Sequence, residues 1–234
     1  MEKTKNSAKK LPKIQIIPSI LVHNEKDLRD RILSVQGLVE VVQIDVADNK
    51  FVPNKTVQYE EIRKVMHELN TTSKIRTKVE AHLMVKDPEN YIKRYSEFCE
   101  TIIFHYEAGK ENSLNLIKEI RKLKKRAGIA MNPDTKISEV KYLLGEVDEI
   151  LFMTVYPGFS GQKFLPEVLP KIKEVRRLFP SVDIEVDGGL GIGTAKLSVQ
   201  SGANIICGAS AIYSRGDVPR AVKKLKEDAE SGLE

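Results

Sequence analysis

The chain has 234 residues, 41% of them hydrophobic and 30% charged, with a formal net charge of +5. That apolar fraction supports a sizeable core, no run of about 18 apolar residues offers a membrane-spanning helix, and two cysteines, Cys99 and Cys207, are too few for a disulfide-stapled secreted scaffold. The charge is concentrated at one end: Lys3, Lys5, Lys9, Lys10 and Lys13 stand against Glu2 alone.

Residues 1–13 therefore read as a disordered, solvated basic arm. The arm lacks the apolar stretch of a secretory signal, and with so few cysteines a cytoplasmic location is expected. No helix-turn-helix, zinc finger or aromatic-basic groove accompanies it, so neither a nucleic-acid nor a membrane partner is expected. From residue 14 onward, short apolar runs alternate with amphipathic stretches. Strands are expected at 14–18, 40–45, 77–83, 101–105, 127–131, 148–155, 182–186 and 203–207. Between the third and fourth runs, Tyr91, Ile92, Tyr95 and Phe98 step along one helical face. Between the fourth and fifth, Leu114, Ile117, Ile120 and Leu123 do the same, and the segment 218–225 follows the eighth run. Eight strand–helix units of about 29 residues each predict an α/β protein, a single-domain TIM (β/α)8 barrel over 14–234. A doubly wound open sheet would carry a glycine-rich phosphate loop after its first strand. Here Pro18-Ser19-Ile20-Leu21 follows, without glycine.

Barrels place their functional groups at the C-terminal ends of the strands. In chain order those ends offer Ser19, then Gln43 and Asp45 on one strand face with Asp48 in the loop, then His82 and Met84. His105, Asn132 and Met153 follow, then Tyr156 and the loop 157–162, Asp187-Gly188-Gly189, and Gly208-Ala209-Ser210. A carboxylate at the end of an apolar strand is costly unless it pairs, binds metal or does chemistry. Asp45 follows Val41, Val42 and Ile44; Asp187 follows Ile184 and Val186. Singly, Asp45 also reads as a turn or cap residue, and His82 as a satisfied core histidine. Together they read as two acids on opposite sides of a small substrate, with His82 beside them as a metal ligand. The turns at Gly188-Gly189 and Ala209-Ser210 read as a phosphate cradle or as plain tight turns. Loop 157–162, with Gly158 and Gly161, reads as a mobile lid or as a plain surface loop.

These residues bear a specific likeness. Pro18-Ser19-Ile20-Leu21, Asp45 with Phe51-Val52-Pro53-Asn54, His82-Leu83-Met84, Asn132-Pro133, Pro157-Gly158-Phe159-Ser160-Gly161-Gln162-Lys163-Phe164 and Glu185-Val186-Asp187-Gly188-Gly189 occur in that order. The series resembles the ribulose-phosphate 3-epimerases over about 14–221. The resemblance implies an isomerase of carbohydrate metabolism, in the pentose phosphate pathway. Such an enzyme inverts C3 between D-ribulose 5-phosphate and D-xylulose 5-phosphate through a metal-stabilised enediolate. It implies Asp45 and Asp187 as acid and base, and a divalent metal (Zn, Fe, Mn or Co) on Gln43, Asp45, His82 and Asp187. It also implies a sugar phosphate bound by Ser19, Met84, Met153, Gly158, Gly188, Gly189, Ala209 and Ser210, and a homo-oligomer, dimer or hexamer. Inversion itself calls for two acids, one removing the proton from one face and one returning it on the other.

Departures from the family cluster at the mouth. Gln43 stands where the family has a metal-binding histidine, and an amide oxygen is the weaker ligand for zinc. The metal site is then weaker, selects a harder ion such as Mn or Mg, or is lost. Ala47 replaces a cavity methionine and leaves room; Asn49 replaces a glycine that Asn can imitate in left-handed backbone. Val22-His23-Asn24 alters the first loop, and Gly208-Ala209 reverses the usual Ala-Gly order. The expected activity is a ketose-phosphate 3-epimerase, with D-allulose 6-phosphate as an alternative substrate. A non-catalytic sugar-phosphate-binding barrel is the second reading. A decarboxylase or isomerase on another phosphorylated substrate is the third, and Lys78 lies too far from its strand's C-terminal end to serve it.

Overall fold

The computed structural model describes residues 13–72, 77–214 and 216–233. The expected basic arm, Lys13 apart, lies outside the described residues. Eight strands form a closed parallel barrel in chain order: β1 Gln15–Ile20, β2 Val41–Ala47, β3 Lys78–Met84, β4 Thr101–His105, β5 Arg126–Met131, β6 Glu149–Met153, β7 Asp183–Asp187 and β8 Ile205–Gly208. Closure comes from β1 against β8, with Ile17 opposite Cys207 and Pro18 opposite Gly208. Every expected run overlaps its strand, with ends displaced by at most two residues. β8 starts at Ile205 because the Asn204 amide oxygen is committed to Ile184 N and Arg176 Nη2, both at 2.8 Å. β6 ends at Met153, whose pairing with Asp187 is closed by the Thr154 N–H on the Asp187 carbonyl at 2.8 Å.

Helices α1 Glu25–Val35, α2 Tyr59–Thr72, α3 Glu89–Tyr95, α4 Tyr106–Gly109, α5 Ser113–Lys122, α6 Ile137–Val140, α7 Leu169–Leu178, α8 Thr194–Gln200, α9 Ser210–Tyr213 and α10 Val218–Glu230 surround the barrel. α1 begins where the Asn24 side chain accepts Asp27 N at 2.9 Å, an N-cap contributing about 1 kcal/mol. The apolar stripes face inward as their spacing demands. Ile92 and Tyr95 of α3 and Ile117 and Ile120 of α5 are buried, with Tyr91, Phe98, Leu114 and Leu123 packed at the margin. Each such aliphatic side chain stabilises the shell by roughly 1.5–3 kcal/mol. No described helix is long and apolar enough to cross a membrane.

The outer faces of the strands meet the helices in one large cluster that includes Val42, Ile44, Val46, Leu28 and Ile62. The barrel interior is divided. Ile103, Ala130, Leu151 and Met153 make one side apolar. Gln43, Asp45, Glu80, His82 and Glu185 are all buried and lie on β2, β3 and β7. The register sets Gln43 beside Glu80 and Asp45 beside His82, so these polar groups stand at two levels.

Candidate active site

The upper level is built by β2, β3 and β7. Alternate residues of a strand share a face, so Gln43 and Asp45 both enter the interior. Gln43 is fully buried, and its Nε2 donates to Asp45 Oδ1 at 3.0 Å and to Asp187 Oδ2 at 2.8 Å. Its Oε1 faces Cys207 Sγ at 3.6 Å. Asp45 also accepts from Ser19 Oγ at 2.6 Å, and His82 Nδ1 lies 2.9 Å from Asp45 Oδ1. One ligand atom each from Asp45, His82 and Asp187 falls within 4.8 Å of the others. Two carboxylates and an imidazole converging this closely are a donor set suited to a borderline divalent cation. Desolvation, with Asp45 close by, pushes the Asp187 carboxyl up to about 7.

One expectation needs correcting. β2 and β7 do not face each other across the mouth; only β1 and β8 separate them around the ring. Their acids are joined by the shared Gln43 amide.

Above this set a cavity opens at the barrel mouth. It is lined by Ser19, Asp45, His82, Met84, Met153, Gly158, Asp187, Gly188, Gly189, Ala209 and Ser210, together with Leu21, Val155 and Leu190. Gly188 and Gly189 have φ of +117° and +62°. A Cβ on Gly188 would lie 2.9 Å from Val155 N, and one on Gly189 would collide with Phe164 N, so packing as well as conformation demands glycine at both. The reversed Gly208-Ala209 order has a similar cause. A Cβ at 208 would lie 2.8 Å from Leu225 Cδ2 of α10, whereas Ala209 borders the cavity.

Loop 157–162 closes over the cavity and is tied down. Asn54 Nδ2 donates to the Gly158 carbonyl at 2.6 Å, and Gln162 Nε2 donates to the Tyr156 and Phe159 carbonyls. Asn49 does adopt left-handed backbone, φ +58°. Beside it, Asp48 accepts from Lys50 N, Phe51 N and Lys86 N. Burial opposes the Asp48 charge, but these backbone donors outweigh it and hold the carboxyl below its usual range. Ala47 leaves less room than expected: it is buried beneath Val52 and Met84, away from the cavity lining.

Sequence reasoning gave His105 no role and passed over Glu107. His105 is fully buried, with its Nε2 2.9 Å from His82 Nε2 and its Nδ1 3.2 Å from Glu107 Oε2. Glu107 Oε1 accepts from Asn132 N at 2.9 Å and from Thr135 Oγ1. The available signal was a histidine ending a strand two residues before an acid. Also missed was a lower level of buried acids, Glu80, Glu149 and Glu185.

Comparison with known proteins decides the lineage. The model of the ribulose-phosphate 3 epimerase family matches residues 15–213. The chain belongs to that family. It is 36% identical over 225 residues to the ribulose-phosphate 3-epimerase of Methanocaldococcus jannaschii, covering 94% of this chain and 93% of the relative. With that of Bacillus subtilis it shares 33% over 222 residues, 91% and 98% of the two chains. Solved barrels outside the family share the fold alone. The 3-hexulose-6-phosphate synthase of Salmonella typhimurium superposes with a TM-score of 0.70 at 14% identity, covering 94% of this chain and all of that one. The orotidine 5'-monophosphate decarboxylase of Sulfolobus solfataricus gives 0.65 at 14%, covering 95% and 100%.

Proposed function

We propose that the chain interconverts D-ribulose 5-phosphate and D-xylulose 5-phosphate by moving the proton on C3. The observation that carries this reading is the pair Asp45 and Asp187, two acids on one cavity joined by the Gln43 amide. The C3 hydrogen is acidic because its removal gives an enediolate conjugated with the C2 carbonyl. Asp45, held by Ser19 and Gln43, serves as the base in one direction. Asp187, pushed up to about 7, holds a proton near neutrality and returns one to the other face of C3 as the acid. The reverse reaction exchanges the roles. A divalent cation of the Zn, Fe, Mn or Co class, held by Asp45, His82 and Asp187, supplies the positive charge that stabilises the enediolate.

The remaining residues position the substrate and exclude water. Met84 and Met153 provide apolar wall around the reacting carbon, while Gly188, Gly189, Ala209 and Ser210 take the phosphate. Gly158 closes the mouth from the tethered loop. Ala47 does not line the cavity, and the relatives are named ribulose-phosphate 3-epimerases, which supports the pentulose phosphate over a larger ketose.

The test is isotope exchange. Purified protein incubated with D-ribulose 5-phosphate in heavy water should place deuterium on C3 of both ketoses, and Asp187→Asn should not. Wild type that exchanges nothing with Zn, Fe, Mn or Co supplied in turn refutes the proposal.

A further inference from the structure

We propose that His105 and Glu107 are positioning residues that present Nδ1 of His82, and not Nε2, to the divalent cation. This rests on the metal-binding reading of Asp45, His82 and Asp187 above.

The argument is an accounting of hydrogens along one line of side chains. Glu107 is fixed from behind by Asn132 N, which can only donate, and by Thr135 Oγ1. Both bonds fall on Oε1, leaving Oε2 as an acceptor aimed at His105 Nδ1, 3.2 Å away. His105 therefore carries its hydrogen on Nδ1 and turns Nε2 toward the barrel axis. There it meets His82 Nε2 at 2.9 Å, a contact that needs one hydrogen shared between two nitrogens. That bond occupies the Nε2 edge of His82. The only His82 nitrogen left facing the acids is Nδ1, 2.9 Å from Asp45 Oδ1 and within the cluster that includes Asp187.

With a cation on Nδ1, the shared hydrogen belongs to His82 Nε2 and His105 Nε2 accepts it. This is the outer-shell arrangement by which a ligating imidazole has its tautomer and ring plane fixed. Packing supports it. The His105 and His82 rings meet edge to edge, with centroids 5.0 Å apart, and Phe51 lies against His105 at 4.8 Å. Among the described residues, Glu107 is the carboxylate bonded to His105.

The experiment uses zinc, cobalt and cadmium as probes on the full chain, without substrate. Metal affinity, read by competition with a chelating dye, should fall about 10–100-fold in Glu107→Gln and in His105→Phe. In a separate assay with D-ribulose 5-phosphate in heavy water, excess metal should restore C3 exchange in Glu107→Gln toward the wild-type rate, which a merely structural defect would not allow. In cadmium-113-loaded protein with nitrogen-15 histidine, the metal coupling should fall on Nδ1 of His82, with a hydrogen on Nε2. His105→Asn is the second variant should the phenylalanine fail to fold. Coupling to Nε2 of His82 overturns the proposal. So does wild-type affinity in folded Glu107→Gln together with either His105 variant, and that result leaves the epimerase reading standing. A wild type that binds none of the three metals overturns both the proposal and the metal reading beneath it.

Discussion

The barrel interior holds two levels of acids that share strands yet live under different rules. In the upper level, Asp45 meets Ser19 Oγ, Gln43 Nε2 and His82 Nδ1, and Asp187 accepts from the same amide. One level down, Glu80, Glu149 and Glu185 are as deeply buried, and Glu80 Oε1, Glu149 Oε1 and Glu185 Oε2 have no hydrogen-bond partner. Burial, with Glu149 close by, pushes Glu80 well above the usual carboxyl range, and burial with Glu80 close by does the same to Glu185. Arg126 reaches only the bottom of this level, at Glu149 Oε2 (3.4 Å) and Asp183 Oδ2 (2.6 Å). The upper acids meet several N–H and O–H donors beside the cavity, whereas the lower level leaves three carboxyl oxygens without one. A buried carboxyl oxygen without a donor favours the protonated form of its group.

The largest effect that tests this contrast is on turnover. Asp45→Asn and Asp187→Asn should each lower the C3 exchange rate by about 10²–10⁴-fold, the usual contribution of a positioned acid or base. Glu185→Gln, two residues before Asp187 on the same strand, should leave exchange close to wild type. An equal loss in Glu185→Gln would break the distinction between the levels.

Next in size is the loss of the shared amide. Gln43→Leu leaves Asp45 Oδ1 and Asp187 Oδ2 facing each other without the donor between them. Metal-free protein should lose about 1–3 kcal/mol, the cost of unsatisfied buried acceptors. Added zinc should recover much of it, so the melting-temperature difference with and without zinc should widen relative to wild type. An unchanged difference would show that the amide does not hold the acids together.

How far these levels were legible in the sequence depends on where the residues stand. Asp45, His82 and Asp187 were visible because each interrupts an apolar run at its C-terminal end, where a barrel opens. The strands were visible because parallel strands buried on both faces read as continuous apolar runs. That same habit hid Glu80, Glu149 and Glu185, which sit inside or at the start of such runs and announce nothing about side-chain direction. The His105–Glu107 link was hidden for another reason: it bridges the end of β4 and the first turn of α4, and two residues across that boundary share no fixed period. The setting of Ala47 was equally hidden, because its cluster includes Val52, a loop residue whose position spacing does not reveal.

The lower level also has a pH signature. The folded chain retains protons on Glu80 and Glu185 that the unfolded chain releases near the ordinary glutamate value of 4.5. The unfolded state then binds fewer protons than the native one, so stability is greatest at low pH and declines as pH rises through the raised range. Facing these groups are Glu149 on β6 and Cys207 on β8, with Asp45 and Asp187 one level above. Urea midpoints at about pH 5 and 8 should differ more for wild type than for Glu185→Gln, whose amide does not titrate. A variant with the wild-type slope would place the retained protons elsewhere.

Cys207 touches both levels and gives the smallest effect. Its Sγ faces Gln43 Oε1 at 3.6 Å and makes a close contact with Glu185 Oε1. Burial, with Glu185 beside it, pushes its pKa well up, so it stays a thiol with one hydrogen to offer to either oxygen. Cys207→Ala removes that donor and should cost about 1 kcal/mol in urea unfolding, the net worth of one modest hydrogen bond. If the levels are independent, C3 exchange should not change, because the Gln43 amide is held by its two carboxylates more strongly than by a sulfur. If instead exchange falls together with stability, the thiol is what keeps the amide oriented, and the lower level supports the chemistry above it.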